Sequence, residues 1–224
     1  MTGSFFFAML VATLILFVIT RRAAENIMRH HYAQKADFFR RYRVQAGDIV
    51  FLGDSITDGA QWDEIFPALP LKNRGINGDT TEGVLRRLPE IIEGQPAALF
   101  LLIGTNDLPW FAYRSDEGIL NTYEQILAAC REKSPATQVF VQSILPRHRS
   151  YSRRIQRLNQ ALQHLADRYG NTFIDLYPHF VDDKGGLRRE FTNDNLHLLA
   201  AGYACWAEVL APHIGDLRND PCQG

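Results

Sequence analysis

The chain predicts an α/β protein, a doubly wound parallel sheet with helices on both faces. Three observations carry this. Short, nearly continuous apolar runs recur, as at Ala98–Ile103 (ALFLLI) and Gln138–Ser143 (QVFVQS). Such runs suit strands buried on both faces of a parallel sheet. Segments with a helical apolar stripe alternate with them, which is the signature of crossover connections. Polar and glycine-rich residues gather just after the runs, where open α/β sheets bind their ligands.

The N-terminus differs in kind. Phe5 to Thr20 reads FFFAMLVATLILFVIT, with no charge before Arg21. It is apolar on all sides, so residues 1–22 are predicted to form a single-pass transmembrane anchor, at the short end of spanning length. A cleaved signal peptide is the rival. No Lys or Arg precedes the run, however, and Arg21-Arg22 occupy the expected cleavage region. Arg21, Arg22, Arg29, Lys35, Arg40, Arg41 and Arg43 all follow the run. By the positive-inside rule this bias favours a cytoplasmic domain, with an extracytoplasmic one as the alternative. Residues 23–45 read as a basic helical linker on which Phe38, Phe39 and Tyr42 are available for packing.

Strands are expected at Asp48–Leu52, Leu71–Asn73, Ala98–Ile103, Gln138–Ser143 and Thr172–Asp175. Helices are expected between and after them. Thr81–Glu93 carries Val84, Leu85, Leu88, Ile91 and Ile92 on one side, with Pro89 expected to kink or shorten it. Glu117–Lys133 stops before Ser134-Pro135. Ser152–Tyr169 has Ser152 as cap, a stripe of Ile155, Leu158, Leu162, Leu165 and Tyr169, and Gly170 beyond its end. The last helix, Ala200–Leu210, is expected to end ahead of Pro212.

Composition sets limits on function. Lys plus Arg is 24 and Asp plus Glu 25, a net charge of −1. No basic field exists to attract nucleic acid. The cysteines, Cys130, Cys205 and Cys222, make neither a disulfide framework nor a paired metal motif.

The rim after the strands offers Gly53-Asp54-Ser55, then Gly75, Asn77 and Gly78, then Gly104-Thr105-Asn106-Asp107, then Pro146-Arg147-His148. A serine hydroxyl needs a base to take its proton, and the base needs a group to orient it. Asp194 and His197, three apart, fall on one side of a helical turn. An acyl-transfer site also needs oxyanion donors. The backbone N–H groups of Ser55 and Gly78 and the side-chain amide of Asn106 are candidates. Singly, each residue fits an ordinary turn or strand end; their occurrence together on one rim points to chemistry.

Gly53-Asp54-Ser55, Gly78-Asp79-Thr80, Gly104-Thr105-Asn106-Asp107 and Asp194-x-x-His197 follow the order of the four blocks of the SGNH, or GDSL, hydrolases, and the chain resembles that family. Asn73–Thr81, Leu196-His197-Leu198 and Gly202-Tyr203 are similar to the branch of the platelet-activating-factor acetylhydrolase catalytic subunits. The resemblance implies a three-layer α/β/α, flavodoxin-like sheet of order 2-1-3-4-5 over an SGNH hydrolase domain at 46–215, with 216–224 as a tail. It also implies Ser55 as nucleophile, His197 as base then acid and Asp194 as its orienter, with Ser55, Gly78 and Asn106 as the oxyanion hole. No metal and no organic cofactor are implied. The chain departs from the commoner pattern at Asn195, where Gly often follows the Asp. The G-x-S-x-G elbow of the α/β-hydrolases is absent, since Thr57 stands in the place of its last glycine.

Asp54, Asp79 and Asp107 are expected to bond backbone amides at the strand ends rather than a metal. Trp110, Arg147 and His148 are candidate substrate-binding residues beside the rim. The expected function is hydrolysis of a small-molecule or lipid ester through an acyl-enzyme on Ser55, and a short acyl such as acetyl is what the resemblance implies. The alternatives are a thioesterase or lysophospholipase working on longer chains at the membrane, and a non-catalytic membrane-anchored binding module. Oligomeric state is left open.

Overall fold

A computed structural model describes residues 2–67, 69–109 and 114–218. The chain divides into two compact units, residues 1–41 and 42–224.

The first unit is one helix, α1 (Thr2–Arg41). The apolar run lies inside it, and the helix continues without a break through Arg21 and Arg22, where Arg21 pairs with Glu25 one turn on. Among the described residues no helix is long and apolar enough to cross a membrane. This corrects the transmembrane anchor read at 1–22, together with the membrane partner, the membrane localisation and the orientation inferred from the basic residues. Length is the physical reason. The uncharged run from Phe5 to Thr20 rises about 24 Å as a helix, against a hydrocarbon core of about 30 Å.

The second unit is built on a parallel sheet. Its strands are β1 (Ile49–Gly53), β2 (Leu71–Gly75), β3 (Ala98–Leu102), β4 (Gln138–Gln142) and β5 (Thr172–Ile174), in the spatial order β2-β1-β3-β4-β5. Two short helices, α2 (Ser55–Asp58) and α3 (Trp62–Ile65), lead from β1 to β2. The crossovers α4 (Thr81–Ile92), α5 (Asp116–Lys133) and α6 (Ser152–Arg168) follow in turn. The short α7 (Tyr177–Phe180) and the closing α8 (Ala200–Arg218) complete the unit.

Alternate residues along each strand serve opposite layers, as the two-residue repeat of a strand requires. One face is aliphatic. Val50, Leu52, Leu99, Leu101, Val139 and Val141 pack against the apolar stripes of α4, α5 and α6. The other face is aromatic. Phe51, Phe100 and Phe140 are register partners on β1, β3 and β4 and stack at centroid distances of 5.0 and 4.4 Å. Trp62 stacks on Phe51 at 3.8 Å, and Trp206 of α8 meets Trp62 edge-on at 4.8 Å. Burying an aromatic ring contributes more than its area alone when rings meet stacked or edge to face.

Among the described residues two prolines stand inside helices beyond the first turn. Pro89 costs α4 a bond but does not end it: Glu93 still donates to the Pro89 carbonyl, and the buried Ile91 and Ile92 hold the last turn on the sheet. α8 runs on through Pro212 to Arg218, past the expected stop, because Ile214 and Leu217 beyond the proline are buried in the aromatic layer. Apolar burial there outweighs the roughly 3 kcal/mol an interior proline costs.

Candidate active site

The chain leaves β1 toward one sheet edge through α2 and α3, then returns over β1 through α4 to reach β3. The winding therefore reverses at β1, and a crevice opens beyond its carboxyl end. Ser55 stands there, two residues after the last residue of β1. Asp54 caps α2, its Oδ1 accepting the Ile56 N–H at 2.9 Å. The Ser55 Oγ lies 2.9 Å from His197 Nε2, and His197 Nδ1 lies 2.6 Å from Asp194 Oδ2. The structure thus brings Ser55, His197 and Asp194 into one relay.

The Asp194–His197 segment is not a helical turn. Its residues form a bend in which Asp194 Oδ1 accepts the N–H groups of Leu196 (2.9 Å) and His197 (2.8 Å). Asn195 makes this possible with φ +63°, in the left-handed region. That explains the departure from Gly at this position, since Asn tolerates this backbone better than other side chains do. Partial burial pushes the Asp194 carboxyl up, but the His197 ring and the two N–H donors outweigh it and hold it at about 2. It is therefore an ionised acceptor at any working pH.

The predicted oxyanion donors lie on neighbouring loops. Gly78, at φ +75°, is exposed in the turn between β2 and α4. Among the described residues no acceptor takes its N–H or that of Ser55. Asn106, in a single turn after β3, donates one amide N–H to the Asp79 carbonyl at 2.9 Å, which fixes the amide and leaves its other N–H.

The three aspartates serve the backbone, as turn chemistry suggests. Asp79 accepts from the Thr80 N–H, and Asp107 accepts from the N–H and hydroxyl of Thr81 at 3.0 and 2.8 Å. Among the described residues no three His, Cys, Asp or Glu side chains are grouped to hold a metal ion. Burial pushes all three carboxyls up, Asp54 to about 7.

Sequence reasoning missed Arg87 altogether and marked Tyr203 only through the resemblance of Gly202-Tyr203, with no role at the site. Arg87, buried on α4, donates to Asp79 Oδ2 at 2.8 Å and to the Gly53 carbonyl at 2.9 Å. It joins the nucleophile loop to the segment that holds Asn106. The Tyr203 hydroxyl, from α8, donates to the Ile56 carbonyl at 3.0 Å. Their roles were not legible, because the partners come from other segments of the chain.

Of the predicted substrate-binding residues, His148 turns its ring onto Ser150, at 2.9 Å, within its own exposed loop. Arg147 donates to the Thr105 carbonyl beside Asn106 at 2.9 Å. Trp110 lies outside the described residues, as do Phe111 and Tyr113.

A five-stranded sheet of order 2-1-3-4-5 with a serine, histidine and aspartate at its switch point defines a hydrolase of the SGNH class. The model of the GDSL-like lipase/acylhydrolase family matches residues 51–205, and the chain belongs to that family. It is 32% identical over 168 residues to platelet-activating factor acetylhydrolase IB subunit alpha1 of Bos taurus, covering 70% of each chain. It is 29% identical to the alpha2 subunit of Rattus norvegicus over 70% of this chain and 71% of that one. A GDSL-like lipase from Bacteroides thetaiotaomicron shares the fold with a TM-score of 0.73, at 22% identity, over 83% of this chain and 98% of that one.

Proposed function

We propose that the protein is a serine esterase that releases a short acyl group, acetyl foremost, from an alcohol through an acyl-enzyme on Ser55. The observation that carries this reading is the continuous relay from Ser55 Oγ through the His197 ring to Asp194, with spacings of 2.9 and 2.6 Å. In the first half-reaction His197 Nε2 takes the Ser55 proton as Oγ attacks the ester carbonyl. The oxyanion meets the N–H groups of Ser55 and Gly78 and the free amide N–H of Asn106. A preorganised donor of this kind is worth about 10²–10³ in kcat. The tetrahedral species collapses as His197 passes its proton to the departing alcohol oxygen. Water then attacks the acyl-enzyme, giving its proton to His197, and the Ser55 hydroxyl is restored as the acid leaves.

The acetyl preference is supported by the similar mammalian subunits, which are named as acetylhydrolases. The test uses the purified chain and para-nitrophenyl esters of rising acyl length. Ser55→Ala is expected to lower kcat by at least about a thousandfold. A fluorophosphonate probe is expected to label the wild type at Ser55 and to leave the variant unlabelled. Turnover is expected to fall as the acyl chain lengthens. Equal rates for wild type and variant would overturn the serine mechanism, and a maximum at long chains would overturn the short-acyl preference in favour of a thioesterase or lysophospholipase.

A further inference from the structure

Arg147 follows the buried segment Ile144-Leu145-Pro146 beyond the end of β4 and is half-buried on the same rim as Ser55. Its Nη1 donates to the Thr105 carbonyl and, at 3.3 Å, to the Thr105 hydroxyl. The guanidinium lies over the Tyr151 ring, 4.6 Å from its centroid. The Leu187 N–H bonds its carbonyl at 3.1 Å, so backbone and head group are both held.

What it lacks is an acid. Arg87, Arg114 and Arg154, the other arginines drawn into this part of the molecule, each pair with a carboxylate: Asp79, Glu82 and Asp116 respectively. Among the described residues no carboxylate oxygen lies within ion-pair distance of Arg147, and no acceptor takes its Nε or Nη2 protons. Burial pulls its pKa down from the ordinary arginine value, and the charges of Asp54 and Asp194, near enough to be felt, act the other way. Asp194 is engaged with His197 and two N–H groups, and Asp54 is buried beneath Ser55. A positioned, partly desolvated guanidinium with one edge open is shaped to take an oxyanion by a two-pronged contact.

We propose that Arg147 binds an anionic oxygen group, carboxylate or phosphate, on the alcohol part of the ester, so that the substrate class is short-acyl esters of anionic alcohols. This rests on the short-acyl esterase reading above: an acyl group that small carries no charge, which leaves the alcohol to bear it.

The full chain is assayed with para-acetoxybenzoate, para-acetoxyphenyl phosphate and the neutral methyl para-acetoxybenzoate, each rate divided by the ester's alkaline hydrolysis rate. At least one anionic ester is expected to exceed the neutral one by about tenfold in kcat/KM, mostly through KM, with the advantage shrinking as salt rises. The better anionic arm identifies carboxylate or phosphate as the group read. Arg147→Gln is expected to bring the ratio close to one, Arg147→Lys to leave part of it, and Arg149→Gln, on the exposed neighbouring turn, to retain it. Calorimetry with the product para-hydroxyphenyl phosphate or para-hydroxybenzoate is expected to show binding about tenfold weaker in Arg147→Gln.

No anionic preference in the wild type overturns the proposal, as does an unchanged ratio in Arg147→Gln. An equal loss on charged and neutral esters also overturns it, since that would mark Arg147 as a mere brace for Thr105. Absence of turnover and of Ser55 labelling, with product binding still dependent on Arg147, would sink the esterase reading and support the anion site. Absence of that binding too would overturn both.

Discussion

Asp194 performs two tasks with its two carboxylate oxygens. Oδ1 builds the turn by accepting two backbone N–H groups, and Oδ2 holds the His197 ring. The pairing was legible in the spacing of Asp194 and His197, but the backbone between them was not. A three-residue separation suits a helical turn and a side-chain-capped bend alike, and only the left-handed Asn195 decides between them. Asp54 raises a different matter at the same scale. It is fully buried, one oxygen accepts the Ile56 N–H, and the other has no partner among the described residues. Burial pushes it to about 7, above its ordinary value of 3.8. Between those pH values the folded chain keeps a proton that the unfolded chain has released, so stability falls as pH rises through the window. A single group contributes a slope of at most about 1.4 kcal/mol per pH unit. Asp54→Asn keeps the capping oxygen and abolishes the titration. Urea unfolding of the variant is expected to change less between about pH 5 and pH 7 than that of the wild type. Parallel pH profiles for the two proteins would remove Asp54 as the source.

α4 illustrates what an element can hide. Its apolar stripe of Val84, Leu85, Leu88, Ile91 and Ile92 was plain from the sequence; all but Leu85 are buried against the sheet, and Leu85 packs on the same cluster only partly buried. Arg86 and Arg87 read alike in that pattern, yet Arg87 is buried and bridges Asp79 to the Gly53 carbonyl. Nothing within the helix announces this, because both partners arrive from other segments. Gly83, one turn earlier, leaves the room in which the Asp79 carboxylate sits; a Cβ there would overlap it. Replacing Arg87 with Met is expected to strand Asp79 as a buried, unpaired carboxylate and to lower stability by about 3–5 kcal/mol, measured as a shift in the urea midpoint. A loss within about 1 kcal/mol would mean that the pair behaves as a surface salt bridge. The same variant frees the loop leading to Ser55 and the segment holding Asn106.

At the level of the whole molecule, the sheet order makes β1 the strand at which the winding reverses, and that alone selects Ser55 from the other serines. β1, β3 and β4 were legible because burial on both faces leaves them almost continuously apolar, whereas the edge strands β2 and β5 are only partly buried and carry a weaker apolar signal. The division of those runs into an aliphatic face and an aromatic face was not foreseen, since it depends on register between strands distant in the chain. The N-terminal segment reads as a membrane span because it is apolar on all sides, but length decides whether a helix crosses a bilayer, and this run is too short. The unit at 42–224 contains both core layers and the whole relay, and retains the Arg74 bond to the Tyr42 carbonyl. A chain beginning at Tyr42 is therefore expected to unfold in a single cooperative step and to keep the full chain's rate on para-nitrophenyl acetate. A broad, non-cooperative calorimetric transition would show that residues 1–41 are needed to complete the fold.

The indole of Trp62 donates to the Thr57 carbonyl at 3.2 Å, two residues from Ser55, and stands edge-on to Trp206, itself bonded to Gln142 at 2.7 Å. Two chromophores locked at a fixed angle in a chiral interior give a near-ultraviolet dichroism band that depends on tertiary packing rather than on helix content. The molecule therefore carries an optical gauge of its own, seated beneath the nucleophile and readable without any label.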